Sequence, residues 1–93
     1  MTIRCTPLFE AQLKTILLTL HQADPKSAKS FKLYLDTVLL NLPSKAKKYK
    51  PSIYFNNSRI RDIEHQGHTI PFYYNKDQDA YLILGIIDNR AHP

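Results

Sequence analysis

Two stretches of the chain repeat apolar residues at the spacing of one helix face. In both stretches the intervals alternate between three and four positions, as residues on a single face of an α-helix do. The first set is Phe9, Leu13, Ile16 and Leu20, and the second is Ala28, Phe31, Leu35, Val38 and Leu42. The pattern therefore predicts two amphipathic helices.

Each predicted helix is preceded by a clear start signal. Thr6–Pro7 and Asp24–Pro25 place a capping side chain before a proline at the first helical position. Residues 21–24 are interpreted as a short connection, and Pro43 is expected to end the second helix. Two helices joined by so short a segment form an αα-hairpin.

Beyond Pro43 the apolar residues change to the spacing of β-strands. In addition to a short first strand over residues 2–5, strands are predicted over residues 52–55, 59–65, 68–74 and 80–87. Gly67 can take a positive φ, which favours a two-residue hairpin turn at 66–67, and a second turn follows at 75–79. Pro71 lacks an amide hydrogen and is expected at a sheet edge or a bulge. The run 80–87 is apolar on both faces, as in a central strand.

This order of elements predicts an α+β fold. A short N-terminal strand is followed by an αα-hairpin packed on a C-terminal antiparallel sheet of three to four strands. The chain has 93 residues, which fits one domain over residues 1–93.

Composition indicates a soluble protein. The longest apolar runs, 16–20 and 80–87, are too short to span a membrane. No signal-peptide pattern opens the chain, and the one cysteine, Cys5, excludes an intramolecular disulfide. We expect a cytoplasmic protein without membrane contact, in which Cys5 is a small buried residue.

The formal net charge of +5 is unevenly distributed. Residues 26–61 carry nine basic residues against Asp36 alone, whereas residues 62–93 carry a net charge of −3. Such a concentration attracts nucleic acid or an acidic protein. The alternative is an ordinary solvated surface.

Four lysines lie within six positions between the second helix and the predicted sheet. They are Lys45, Lys47, Lys48 and Lys50, and aromatic residues follow them at Tyr49, Tyr54 and Phe55. Ammonium groups can neutralise phosphates, and aromatic rings can stack on bases. On these residues alone a solvated loop is the favoured interpretation.

Two further basic pairs are candidate site residues. Arg59 and Arg61 share one face of a strand, and they form an exposed basic groove if that face points away from the helices. Arg90 and His92 lie in the C-terminal tail, where a histidine could act as general acid or base and an arginine could hold a phosphate. The alternative for the tail is a frayed terminus.

Metal and cofactor chemistry find little support in the sequence. His65 and His68 flank the predicted 66–67 turn, but no suitable third ligand is evident. The two glycines, Gly67 and Gly85, do not form a phosphate-binding loop. We therefore predict neither a metal site nor a cofactor.

The ordered set of motifs resembles the RelE/ParE superfamily of toxins from type II toxin–antitoxin systems. Four segments carry the resemblance, and each is degenerate alone. They are "TPLFEAQLKTIL", "DPKSAKSFKLYLDTVLLNLP", "RIRDIEHQGHTIPFYYN" and "AYLILGIIDNR". They are similar to the two family helices, the arginine- and tyrosine-bearing strands, and the closing strand that ends in a basic residue.

The resemblance implies a toxin held in a hetero-oligomer by a cognate antitoxin, whose C-terminal segment orders on binding. ParE-like members poison DNA gyrase and are not known to be catalytic in that act. RelE-like members cleave mRNA on the ribosome without a metal.

Both branches find support in this chain, so its enzymatic status stays open. The helical hairpin resembles ParE, and a gyrase-binding toxin is the leading hypothesis. If the chain is instead a ribonuclease, the implied residues are Lys47, Lys50, Arg61, Arg90 and His92, with Tyr73 in addition. A non-toxic binding module of the same fold is the third hypothesis.

Overall fold

Helices and strands follow one another in the predicted order. The structure is a computed structural model that describes residues 2–91. The strands are β1 (Thr2–Cys5), β2 (Lys50–Pro51), β3 (Ile60–His65), β4 (His68–Asn75), β5 (Ala80–Ile83) and β6 (Ile87–Asp88). The helices are α1 (Pro7–Ala23), α2 (Pro25–Leu40) and α3 (Leu42–Lys45), with single 3₁₀ turns at Ala46–Lys48 and Asn89–Ala91. The α+β prediction is confirmed.

Both predicted start signals of the helical hairpin are present. The Thr6 hydroxyl accepts a hydrogen bond from the Phe9 amide, and the Asp24 carboxylate accepts one from the Lys26 amide. The predicted connection over 21–24 is wrong, because α1 continues to Ala23. Asp24 alone joins the helices, since its amide also donates to the Leu20 carbonyl and so ends α1.

The second helix ends earlier than predicted. It stops at Leu40, and Pro43 lies in the first turn of the short helix α3 instead of ending α2. Proline is tolerated there because the first amides of a helix have no intrahelical acceptor. Leu42, predicted to extend the α2 stripe, is still fully buried.

The sheet has the strand order β1-β5-β4-β3-β2, and β6 also pairs with β4. The predicted antiparallel meander is present, and β1 adds a parallel pairing with β5. At the turn between β3 and β4, Gln66 and Gly67 both have positive φ, as expected for a tight two-residue hairpin. The result is a mixed sheet whose outer strands are β1 and β2.

Pro71 is not at a sheet edge, because β4 lies in the centre of the sheet. It faces the interruption between β5 and β6, where the Leu84 amide donates to the Pro71 carbonyl at 2.9 Å. The predicted strand over 80–87 is therefore two strands. The Ile86 amide leaves the ladder and donates to Gln12 Oε1 of α1 at 2.9 Å. This break accommodates a central proline without an unmatched donor.

The strand predicted over 52–55 is absent. The chain pairs with β3 at Lys50–Pro51 and then leaves the sheet, so that Ile53 and Phe55 are exposed. Apolar, β-branched composition favoured a strand, but the Ile53 amide donates to the Asp62 side chain and not to a neighbouring strand. A side-chain acceptor has replaced the ladder bond.

The core lies between the helical hairpin and one face of the sheet. Buried side chains from α1 and α2 pack on those from β3, β4 and β5, and they include Phe9, Phe31, Leu35, Ile63, Ile70, Phe72 and Ile83. Within residues 2–91 no helix combines the length and the apolar character needed to cross a membrane.

Candidate functional site

The four clustered lysines occupy three different elements. Lys45 ends α3, Lys47 and Lys48 lie in the following 3₁₀ turn, and Lys50 begins β2. All four are exposed, and none forms an ion pair with a carboxylate of the described residues. Their charge is thus available to a partner.

Arg61 holds this lysine segment against the sheet. Its Nη1 lies 3.0 Å from the Tyr49 carbonyl oxygen, 3.2 Å from that of Lys47 and 3.5 Å from that of Ala46. A charged donor shared by several carbonyls helps to satisfy the end of the 3₁₀ turn, where the Tyr49 amide also donates to the Ala46 carbonyl at 3.3 Å. Arg61 therefore has a structural role that its sequence context did not reveal.

The condition for an exposed basic groove, that the two arginines lie on the face away from the helices, is not met by Arg61. Arg61 pairs across the strands with Phe72, a core residue, and lies on the helix-facing side of the sheet. Arg59 precedes β3 and is exposed. The two arginines nevertheless lie close together, since both line the same two surface recesses.

These two recesses bring several predicted residues together. One has a volume of about 380 Å³ and is lined by Ala46, Lys47, Arg59, Arg61, Phe72, Tyr74 and Tyr81. The other has a volume of about 500 Å³ and is lined by Ser58, Arg59, Arg61, Tyr73, Tyr74, Asn75, Lys76 and Asp77. Lys47, Arg59, Arg61 and Tyr73 thus lie around one end of the sheet.

The Tyr74 hydroxyl lies in the same region but is already engaged. It donates to Asp79 Oδ1 at 2.8 Å, and this hydrogen bond raises the pKa of Tyr74 above its usual value of 10.0. A phenol with a raised pKa is protonated at neutral pH, so it cannot serve as a base.

Arg90 lies at the opposite end of the sheet from Arg61. Asp88 pairs with His68 on β4, whereas Arg61 pairs with Phe72, four residues further along, a separation of about 13 Å between strand positions. The Arg90 guanidinium donates to both carboxylate oxygens of Asp88 at 3.1 Å and lowers the pKa of Asp88 to about 2. His92 lies outside the described residues.

A polar network fixes the segment before Arg90. Asn89 Nδ2 donates to Glu64 Oε2 at 3.0 Å, and the Asn89 amide donates to the Gly67 carbonyl. The buried Thr69 hydroxyl lies 2.6 Å from Asn89 Oδ1 and 2.9 Å from Glu64 Oε1. Sequence reasoning missed this network because its members lie up to 25 positions apart.

His65 and His68 pair across the β3–β4 hairpin and are both buried. Their rings meet that of Phe31 edge-on, with centroids at 5.0 and 5.1 Å. Burial lowers the pKa of His65, a hydrogen bond with the Phe31 backbone partly opposes this shift, and the neighbouring His68 adds to the lowering. Across the described part of the chain, no three His, Cys, Asp or Glu side chains are grouped to hold a metal ion. The pair packs against the core.

Cys5 is exposed on β1, so the prediction of a buried cysteine is wrong. The outer strand β1 leaves its side chain beside an apolar groove of about 740 Å³ between the two helices. This hairpin groove is lined by Cys5, Glu10, Leu13, Lys14, Leu17, Leu18, His21, Ala28, Lys29 and Lys32. Partial desolvation, followed by the Glu10 carboxylate, raises the pKa of the Cys5 thiol, which is protonated at neutral pH.

Comparison with known proteins places the whole chain in one group. Residues 3–92 match the family model described as ParE toxin of type II toxin-antitoxin system, parDE. No curated protein matches the chain significantly.

Two similar solved structures share the fold over nearly the full length. A chain of the chromosomal ParDE toxin–antitoxin system from P. aeruginosa has a TM-score of 0.73 at 17% identity, with 95% of each chain covered. A chain of the toxin–antitoxin complex RelBE2 from Mycobacterium tuberculosis has a TM-score of 0.62 at 12% identity, covering 94% of this chain and 95% of the other. At such identities the likeness shows the fold alone.

Proposed function

Because the chain belongs to the ParE toxin family of type II toxin–antitoxin systems, we propose that it arrests growth by binding DNA gyrase without catalysing a reaction. It acts in the cytoplasm and is neutralised by a cognate antitoxin. The observation that carries the choice of a binding toxin is the separation of Arg61 from Arg90. These arginines, both named as ribonuclease candidates, lie at opposite ends of the sheet and each has an intramolecular partner.

A metal-independent ribonuclease needs its groups around one phosphate. The general acid or base must lie within about 3 Å of the proton it transfers, and the guanidinium must reach the same phosphate. The Arg90 guanidinium is paired with Asp88 and Arg61 Nη1 is engaged by backbone carbonyls, so neither arginine is oriented toward a shared phosphate. Arg61 Nη1 contacts the carbonyl oxygens of Tyr49, Lys47 and Ala46, which holds the guanidinium against the lysine segment.

The hairpin groove supports the antitoxin part of the proposal. Its lining is apolar at Leu13, Leu17 and Leu18, and Lys14 and Lys32 flank it. An amphipathic antitoxin segment with acidic residues beside its apolar face matches both features. Such a segment becomes ordered on binding, as expected for an antitoxin that wraps around the toxin.

Ribonuclease activity is the second candidate, favoured by a single observation. Lys47, Arg59, Arg61 and Tyr73 line adjoining recesses at one end of the sheet. A cation cluster beside a phenol can hold an RNA phosphate and transfer a proton.

Two assays on the purified toxin separate the candidates. The first measures gyrase supercoiling of plasmid DNA, and the second measures cleavage of mRNA on translating ribosomes. We expect inhibited supercoiling, intact mRNA, and restored supercoiling when the antitoxin is added. Cleaved mRNA with unaffected supercoiling would overturn the gyrase proposal, and a host that grows normally while expressing the toxin alone would remove the toxin function.

A further inference from the structure

The loop over residues 52–59 presents two large apolar side chains to solvent. The side chain of Ile53 is 80% exposed, and that of Phe55 is 42% exposed. Both follow β2, the outer strand of the sheet on this side. Isolated exposed apolar residues are common on protein surfaces, so exposure alone assigns no role.

The backbone of this loop is fastened to the sheet. The Ser52 amide donates to the Ile60 carbonyl at 2.8 Å, and the Ile53 amide donates to Asp62 Oδ2 at 2.9 Å. The Asp62 side chain lies in the sheet, and the residue is only 8% exposed. At the far end, the Asn57 side chain accepts from the Arg59 amide. The loop thus holds the two apolar side chains outward on an anchored backbone.

Neighbouring residues of β3 anchor both flanks of β2. Arg61 binds the carbonyls of residues 46–49 on the helix-facing side, and Asp62 binds the Ile53 amide. Consecutive strand residues point to opposite faces, so one dipeptide can hold the segments before and after β2. Little of the presented surface has to become ordered when a partner binds, which favours affinity.

Unneutralised positive charge flanks the two apolar residues along the chain and at the neck of the loop. Lys48 and Lys50 precede Ile53 by five and three positions, and Arg59 lies across the neck of the loop beside the Ser52–Ile60 hydrogen bond. Among the described residues none of these three cations has a carboxylate partner, whereas Lys32 and Arg90 do.

We propose that Ile53 and Phe55, with Lys48, Lys50 and Arg59 around them, form the surface by which the toxin holds its target. We call these five residues the cationic loop surface. The occupant is an acidic protein surface with an apolar pocket for the two side chains. This inference rests on the proposed function and names the part of the toxin that performs it.

A protein occupant matches the chemistry better than a nucleic acid does. Isoleucine has no π-face on which a base could stack, and its exposed side chain needs an apolar pocket. Carboxylates around such a pocket would meet the lysines and Arg59, and they would also steer the encounter.

The test compares two removals of exposed apolar side chains in the full-length toxin. The first variant is I53A/F55A. The matched control is L40A, because Leu40 is 77% exposed but lies at the end of α2, on another surface. Four readouts are taken: thermal unfolding, binding to the cognate antitoxin, inhibition of gyrase supercoiling, and growth arrest of a bacterial host.

We expect I53A/F55A to need at least about tenfold more toxin for half-inhibition of gyrase, and to lose growth arrest. The equilibrium constant for its unfolding and its affinity for the antitoxin should each stay within about twofold of wild type. L40A should match wild type in all four readouts. A second variant, K50E, should slow association with the target and reduce its dependence on salt.

Three results would overturn the inference. The first is an I53A/F55A variant that remains fully toxic. The second is an I53A/F55A variant that keeps its toxicity but loses antitoxin binding, which would identify the antitoxin as the occupant of the surface. A wild-type toxin that binds a short DNA duplex in the absence of gyrase, with binding lost in I53A/F55A, would identify a nucleic-acid surface.

Failure of the proposed function gives a different pattern. If wild-type toxin stops growth without inhibiting gyrase, the gyrase target is wrong, and the growth readout of I53A/F55A still decides the role of the surface. If wild-type toxin neither stops growth nor inhibits gyrase, both proposals are wrong.

Discussion

The two ends of the sheet use arginine in opposite ways. At one end Arg61 is partly buried and binds three backbone carbonyls, and the neighbouring lysines have no carboxylate partner among residues 2–91. At the other end Arg90 is exposed and pairs with Asp88 two residues before it. An arginine engaged with carbonyls organises a segment and keeps its positive charge unneutralised, whereas a surface ion pair cancels charge and adds little stability.

The largest expected effect comes from removing the Arg61 guanidinium. In R61A the carbonyls of Ala46, Lys47 and Tyr49 lose their charged donor, and we expect the free energy of unfolding to fall by about 2 kcal/mol. Urea denaturation followed by circular dichroism measures this change. R61K is the matched control, and it should recover only part of the loss because an ammonium group is more strongly hydrated and lies on a more flexible stem. Wild-type stability in R61A would show that Arg61 does not support the segment before β2.

Removing the Asp62 carboxylate should have the next largest effect on stability, because Asp62 holds the loop over residues 52–59 and does not support the core. In D62A the Ile53 amide loses its acceptor, and we expect a loss of about 1 kcal/mol. Amide hydrogen exchange should accelerate at residues 52–58 and stay unchanged in α1. Uniform acceleration over the chain would mean that Asp62 supports the whole fold and not this loop.

Acidification should destabilise the fold through the buried His65–His68 pair. The pKa of His65 is lowered by burial and then by His68, so the folded state prefers the neutral ring. The contribution of the neutral His65 ring to stability is fully present above the unfolded-state pKa of about 6.5, and it is lost as the pH falls below that value. We expect the melting temperature to fall between pH 7 and pH 5, and H65F to flatten that dependence. Replacing the exposed His21 by glutamine is the control and should leave the dependence intact.

The smallest effect is expected at Arg90. Because the Asp88–Arg90 pair is exposed, R90A should leave the unfolding midpoint unchanged. The measurable consequence is local: the pKa of Asp88 should rise from about 2 toward its ordinary value of 3.8, as NMR titration would report. A loss of stability in R90A as large as that in R61A would show that the two arginines do not differ in their contribution to the fold.

Much of the fold could be predicted from the sequence because its signals are local. The helix stripes, the Thr6 and Asp24 caps and the Gly67 turn all depend on residues within four positions of one another. The position of the lysines between helix and sheet was predicted for the same reason.

Less of the candidate site could be predicted, because its contacts join distant residues. The apolar residues of 52–55 have the composition of a strand, yet the Asp62 carboxylate takes the Ile53 amide out of the ladder. Likewise, Gln12 of α1 accepts from the Ile86 amide and divides the predicted strand over 80–87.

Local patterns in the chain specify the main helices and strands in their order, the residues at which the two long helices begin, and the concentration of positive charge in the middle of the chain. Those features follow from periodicity, capping and composition, which act within a few residues. Contacts made only on folding show that Arg61 supports the segment before β2, that Arg90 lies at the opposite end, and that Ile53 and Phe55 face solvent. Each of these features depends on which distant donors and acceptors meet in the folded chain, and no local sequence pattern predicts those pairs.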